Sequence, residues 1–271
     1  LLDAGLPLAD LEADLARLGV GGYRLSAERV TRRGLTGTLL RVDTGQALPG
    51  DRPARHPADV EAIVGSSGLP PQVVERSLAV FRRIARVEAA IHGTGLAEVH
   101  FHEIGAVDSL VDIVGFVSGL ERLGVAQVYA SPLPLGSGFI ETEHGRLPVP
   151  APATLAILAE VGAPTLPGPG PGELVTPTGA ALLAGLATFE RPAMAVRRVG
   201  YGFGSREVPW ANALRVWLGD PLPAADGPEA NRVVEMACNL DNASGELLGY
   251  VLERLLAAGA LDAWFTPIQM K

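Results

Sequence analysis

The sequence predicts a mixed α/β (α+β) fold: a main α/β domain over residues 1–220, a linker at 221–230 and the start of a ferredoxin-like β-α-β domain at 231–271. Three observations point there. Apolar residues recur with helical spacing in several long stretches and alternate with strand spacing in others, and Gly219 to Ala230 has the Gly, Pro and acidic composition of a linker.

Taken in order, Leu1 to Gly5 reads as the last turn of a helix closed by a glycine, so the chain is expected to be a fragment lacking an N-terminal segment. Leu8 to Leu18 has helical spacing, and Tyr23 to Asp43 divides into two strands at Arg33-Gly34. Residues 44–56 read as exposed loop. Helices follow at Pro57 to Val64 and Pro70 to His92, each with a proline in its first turn, where no N–H is required. On the second of these Arg76, Arg82, Arg83 and Arg86 are expected on the solvated side. Val99 to Glu103 reads as extended and Leu110 to Leu123 as an apolar helix. A short strand at Gln127 to Ala130 and a helix at Thr154 to Val161 come next, and the Pro/Gly-rich stretch Pro164 to Gly172 reads as a loop and candidate lid. Thr176-Pro177 opens an Ala/Leu-rich helix reaching about Phe189, and strands at Val196 to Gly200 and Leu214 to Leu218 flank the glycine run ending at Arg206. That run lacks the G-x-G-x-x-G spacing and no helical pattern follows it, which argues against a dinucleotide fold. Beyond the linker a strand is expected at Arg232 to Leu240, a helix at Ser244 to Ala258 and a strand at Leu261 to Ile268.

Composition narrows the chemistry. An apolar content of 48% over 271 residues supplies a sizeable core, and a net charge of −8 argues against a nucleic-acid or anionic membrane partner. No apolar run is long enough to span a bilayer and no basic signal segment opens the chain, so the expected location is the cytoplasm. The one cysteine, Cys238, excludes an intrachain disulfide and a Cys-based zinc cluster. The only lysine is Lys271, which excludes a Walker P-loop and an internal Schiff base. A bound phosphate would have to be held by arginine, backbone N–H groups or metal.

The densest chemistry lies at His100-Phe101-His102-Glu103 with Asp108, Ser109 and Asp112. In an extended segment His100 and His102 share a face, and Asp108 and Asp112 sit one turn apart on the following helix. Imidazole with carboxylate is a ligand pattern for divalent transition ions. The same residues also fit a plain structural role, since Ser109-x-x-Asp112 before an apolar run is a capping-box pattern. Thr176, Thr178 and Gly179 present a helix N-terminus, which either binds an anion or is simply capped.

Four stretches then resemble the LarC nickel-insertion family, in that family's order and across nearly the whole chain: Val99 to Asp112 (VHFHEIGAVDSLVD), His144 to Thr154 (HGRLPVPAPAT), Glu173 to Ala180 (ELVTPTGA) and Thr266 to Lys271 (TPIQMK). The resemblance implies an enzyme that inserts nickel into pyridinium-3,5-bisthiocarboxylic acid mononucleotide, a cyclometallation of the lyase class that makes the nickel-pincer nucleotide. It implies CTP as co-substrate, with manganese or magnesium, and an apo racemase as recipient of the cofactor; a homo-oligomer is expected. One segment departs from the family's pattern. The usual acidic Asn-Ile-Asp-Asp segment reads Asn239-Leu240-Asp241-Asn242 here, and the upstream glutamate is Ala237.

Within that assignment His100, His102 and His144 suit nickel, with Glu103 as the base or a hard ligand and His144 a second catalytic candidate. Asp108 and Asp112 suit the ion of a nucleotide triphosphate. Its phosphates are expected at Thr176, Thr178 and Gly179, with Arg206 adding charge. A nickel carrier without catalysis and a metal-dependent nucleotide phosphohydrolase are the alternatives.

Overall fold

The computed structural model describes residues 1–44, 55–99, 107–142, 145–206, 208–222, 235–238, 240 and 243–266, and it is an α/β fold. The chain divides into two compact units, Leu1–Ala224 and Ala225–Lys271. The first opens with a 3-10 turn (Leu2–Ala4), closed by Gly5 in the left-handed conformation, and runs into α1 (Leu8–Ala16). The hairpin β1 (Arg24–Arg32) and β2 (Leu35–Asp43) turns at Arg33 and Gly34, both at positive φ, as a two-residue connection between right-twisted strands requires. Helices α2 (Pro57–Gly65), α3 (Pro71–His92) and α4 (Val107–Arg122) follow, with a 3-10 turn (Leu96–Glu98) ahead of α4.

The second half of this unit alternates short strands with two helices. It contains β3 (Val128–Tyr129), β4 (Leu133–Ser137), β5 (Phe139–Thr142), β6 (Gly145–Pro148), α5 (Pro152–Glu160), β7 (Thr165–Pro171), α6 (Pro177–Leu186), β8 (Ala187–Thr188), β9 (Met194–Phe203) and β10 (Ala213–Pro221). One sheet has the order β1-β2-β9-β10, its two hairpins joined by a short parallel contact in which Thr38 faces Gly202 and Leu39 faces Phe203. Asp3 clamps that junction. Its carboxylate accepts from the Tyr201 N–H (2.8 Å) and the Thr38 hydroxyl (2.9 Å) and pairs with Arg29, so one side chain ties β1, β2 and β9 together. The turn can lie this close because residue 200 is glycine: a β-carbon there would stand 2.8 Å from the Ala4 nitrogen.

The core is mainly helical. Leu15, Val60, Val64, Val80, Ile84, Ile113 and Ile157 are fully buried, and each such side chain contributes about 1.5–3 kcal/mol by leaving water. Arg76, Arg82 and Arg86 of α3 are exposed as expected, Arg82 pairing with Glu61, whereas Arg83 is half-buried where α3 meets α5 and α6 and pairs with Glu160. α4 packs against α1, α3 and α6. Its Gly115 and Gly119 let α1 and the N-terminal turn approach: a β-carbon at 119 would meet Leu1 Cδ1 and Leu6 Cδ2 at 2.9 Å. Register between α1 and α4 is set by Asp14, a buried carboxylate that accepts from Arg122 Nε (2.6 Å) and Nη2 (2.7 Å) and from Ser118. The Arg122 hydrogen bonds outweigh burial and hold the Asp14 carboxyl below its ordinary range.

The structure corrects two expectations about elements. Pro164 to Gly172 is no lid; it contains β7, which pairs parallel with β4 from Leu133↔Thr165 to Ser137↔Pro171. Gly168, Gly170 and Gly172 alternate with Pro167, Pro169 and Pro171, so one face of the strand is bare, and the edge toward which the proline nitrogens point lacks N–H donors, which an edge strand tolerates. In the second unit α7 (Gly245–Ala257) is present, capped by the Ser244 hydroxyl, which accepts the Leu247 N–H (3.3 Å). Residues 235–238 and 261–266, expected as strands, are irregular; a strand forms only where another pairs with its backbone.

Replacing Arg122 with alanine is expected to destabilise the first unit by about 2–3 kcal/mol, because it leaves Asp14 buried and unpaired. Since the folded Asp14 titrates below its unfolded value, this contribution is full above about pH 4 and is lost as the pH falls below it. Urea unfolding of the parent and Arg122→Ala proteins would therefore show a smaller difference at pH 3 than at pH 7.

Candidate functional site

Two groups of sequence-derived residues lie within the described residues, Asp108 with Asp112 on α4 and Thr176 to Gly179 at the start of α6, and these two helices are in contact. α4 begins at Val107, so Asp108 is in its first turn, where a negative charge meets the positive end of the helix dipole and accepts the Ser109 N–H (2.9 Å). Asp112 is one turn on. This overturns the capping-box expectation: Ser109 lies inside the helix and is buried, so it does not serve as the N-cap. A consequence is that Asp112 stands free of the first-turn N–H groups and faces Asp108 along the helix.

The Asp112 side chain reaches solvent, yet protein crowds its carboxyl and pushes the pKa up to about 6, with the Asp108 charge adding to the effect. Two carboxylates a turn apart that resist joint ionisation suit a hard divalent cation, which removes the repulsion on binding. Among the described residues no third His, Cys, Asp or Glu joins them. His100, His102, Glu103 and His144 lie outside the described residues. What frames them is described: Val99, buried and extended, precedes the histidine segment, and the β5–β6 hairpin brackets His144, with Thr142 paired to Gly145.

The second locus is the start of α6. Thr176 is its N-cap as expected, the hydroxyl accepting the Gly179 N–H at 3.2 Å, with Pro177 in the first turn. This limits what the terminus can offer a ligand. Pro177 has no N–H and that of Gly179 is taken, so among the described residues the Thr178 N–H is the free donor of this first turn.

Arg206 is brought to the approach to α6. Its guanidinium lies over Gly172, four residues before Thr176, at a spot any β-carbon on residue 172 would fill. Two further residues that sequence reasoning missed hold the same loop. Arg32 Nη1 donates to the Gly204 carbonyl (2.7 Å) and to that of Arg206 (3.5 Å), and the Trp210 ring covers Gly170, where a β-carbon would stand 2.5 Å from Cη2. The missed signal was the period-two glycine pattern of residues 168–172, which marks a bare strand face open to close cover.

Comparison with known proteins gives one consistent result. The family model described as nickel insertion protein matches residues 1–271. A relative from Thermomicrobium roseum, named a nickel insertion protein, is 53% identical over 273 residues, covering 100% of this chain and 66% of its own length. One from Roseiflexus castenholzii, similarly named, is 51% identical over 271 residues, 100% of this chain and 68% of its own. A third, from Desulfitobacterium hafniense, carries the name pyridinium-3,5-bisthiocarboxylic acid mononucleotide nickel insertion protein and is 44% identical over 276 residues, 100% of this chain and 67% of its own. The chain thus spans about two thirds of the length of these curated relatives. No solved structure matches it.

With divalent ions removed, Asp112→Asn is expected to stabilise the protein at pH 7.5 by about 1 kcal/mol, the shift being discounted because the side chain reaches water. A raised folded pKa means the penalty is present above about pH 6 and fades toward the unfolded value near pH 4. Thermal midpoints of the two proteins at pH 7.5 and pH 4 test this; a gain of equal size at both would assign the effect to something other than charge.

Proposed function

Because this chain belongs to the nickel insertion protein family, we propose that it inserts nickel into pyridinium-3,5-bisthiocarboxylic acid mononucleotide, the substrate in the name of the Desulfitobacterium hafniense relative. The family match over residues 1–271, together with the His-x-His segment at 100–102, is the observation that carries this reading.

The reaction requires a nickel–carbon bond to form while a ring C–H bond breaks, with the proton passing to a base. His100, His102 and His144 are the proposed nickel donors, imidazole suiting a borderline ion that must be handed on to the thiocarboxylate sulfurs of the substrate. Glu103 is the proposed proton acceptor, with His144 the second candidate. The co-substrate is proposed to be CTP with manganese or magnesium, whose part is to neutralise triphosphate charge. The pair Asp108 and Asp112 fits such an ion in donor type, and phosphate oxygens and water would complete its shell. Phosphate would be held by the Thr178 N–H and the Arg206 guanidinium; Thr176 and Gly179 serve by shaping that turn.

Residues 1–220 are proposed as the metal- and nucleotide-binding domain, and residues 231–271, after the linker at 221–230, as part of a ferredoxin-like one. No described helix is long and apolar enough to cross a membrane, in keeping with a proposed cytoplasmic role beside an apo racemase that accepts the product. A homo-oligomer is proposed as the working form.

The test supplies the full-length protein with the thiocarboxylated mononucleotide, nickel, CTP and manganese and assays the product by activation of an apo racemase. His100→Ala and His102→Ala are each expected to abolish activation while leaving the circular dichroism spectrum unchanged. Full activation by both variants would overturn the nickel assignment. Nickel bound at one equivalent with no CTP-dependent product would instead identify a carrier, and CTP turnover with no nickelated product a phosphohydrolase.

A further inference from the structure

β10 lies at one edge of the four-stranded sheet, with β9 on one side and, among the described residues, no strand on the other. An edge leaves a row of backbone N–H and C=O groups ready to pair with another chain, and folds usually blunt it with charge, proline or irregularity. Other strands of this unit follow that practice. β1, the opposite edge of the sheet, carries Arg24, Glu28, Arg29 and Arg32, and β7 has proline at every second position from Pro167. β10 is different. From Ala213 to Leu218 it has no proline, no lysine and a single charge, Arg215, and its ladder is regular up to the shift between Leu218 and Gly219.

The strand also offers apolar surface on both faces. Leu214 is 68% exposed and Trp217 37%, with Val216 and Leu218 half-buried. Alternation puts Leu214, Val216 and Leu218 on one face and Arg215 and Trp217 on the other, where the Arg215 guanidinium lies 5.1 Å from the Trp217 ring centre. Charge then selects how a second copy can pair. A two-fold axis normal to the sheet passes through one residue, because directly opposed side chains share a face. An axis at Arg215 opposes two guanidiniums. One at Trp217 sets Leu214 against Asp220 and carries the pairing past the shift after Leu218. An axis at Val216 sets Leu214 against Leu218, Val216 against its own copy and Arg215 against Trp217. Apolar meets apolar, and each guanidinium gains a second ring.

We propose that β10 is a self-association surface of this chain: two copies pair antiparallel through residues 214–218 about a two-fold axis at Val216, joining their four-stranded sheets into one. Main-chain hydrogen bonds along the edge supply the attraction, and the opposed side chains set the register. So short a pairing makes a small interface, and the dimer forms in the micromolar range. The inference rests on the homo-oligomer proposed above, for which it names the surface, and is independent of the nickel chemistry.

Single cysteines read the register on the full-length protein in a Cys238→Ser background, which by itself is expected to give no cross-link. Under mild oxidation Val216→Cys is expected to form a disulfide between copies, because opposed residues of an antiparallel pair stand about 4.5–5.5 Å apart at Cα, within disulfide reach. Leu214→Cys and Leu218→Cys are each expected to give no cross-link alone and to cross-link when mixed. In sedimentation equilibrium Leu214→Lys is expected to weaken dimerisation about tenfold or more. The residue is exposed, so the thermal midpoint of the monomer is expected to stay unchanged. A protein that is monomeric throughout the micromolar range overturns both the homo-oligomer and the interface. Association that Leu214→Lys leaves intact, with no cross-link by Val216→Cys, overturns the β10 interface and leaves the homo-oligomer standing. Cross-linking by Leu214→Cys or Leu218→Cys alone overturns the register at Val216 and the proposal with it.

Discussion

The hydrogen-bonded set Asp14, Ser118 and Arg122 fixes where α4 lies, and much of the first unit follows from it. A carboxylate taken out of water must be matched or it destabilises the fold, and here a guanidinium in bidentate contact and one hydroxyl match it. That requirement sets the rotation and height of α4 against α1, while Gly115 and Gly119 set the distance. The opposite end of the same helix bears Asp108 and Asp112. A helix of sixteen residues is stiff, so locking its last turn orients its first.

The second constraint is the absence of side chains. Gly136 and Gly168 let β4 and β7 lie against each other, and Gly170 and Gly172 let Trp210 and Arg206, from the chain after β9, lie on β7 and its end. Conformational freedom matters for Gly172, at φ +94°, but at the others what counts is the missing β-carbon. The first constraint orients the carboxylate pair at the start of α4, and the second lets Arg206 lie over Gly172 ahead of α6, a helix in contact with α4.

How much of this could be read from sequence depended on whether the signal was local. The hairpin turn at Arg33-Gly34, the Thr176 cap and the amphipathic α3 each depend on residues a few positions apart, and the structure has them where the sequence predicts them. β7 was misread because Pro and Gly signal irregular backbone in general, whereas at an edge the same residues make a strand with one bare face. Ser109 was misread because helix starts are set by tertiary packing as well as by capping chemistry. The contacts of Arg32 with the Gly204 and Arg206 carbonyls and of Trp210 with Gly170 had no local signal, since they join β1, β7 and the loop before β10. The histidine segment lies outside the described residues, and its reading still rests on residue types and family membership.

The proposed chemistry divides the labour between two ligand types, imidazole for the transferred nickel and the α4 carboxylates for the ion of the nucleotide. Nickel K-edge X-ray absorption on the full-length protein loaded with one equivalent of nickel, in the presence of manganese and CTP, tests it most directly. Nitrogen and oxygen neighbours with the multiple-scattering pattern of imidazole rings are expected, with loss of that pattern in a His100→Ala, His102→Ala double variant. A sulfur shell from Cys238, or a carboxylate-only environment unchanged in that variant, would contradict it.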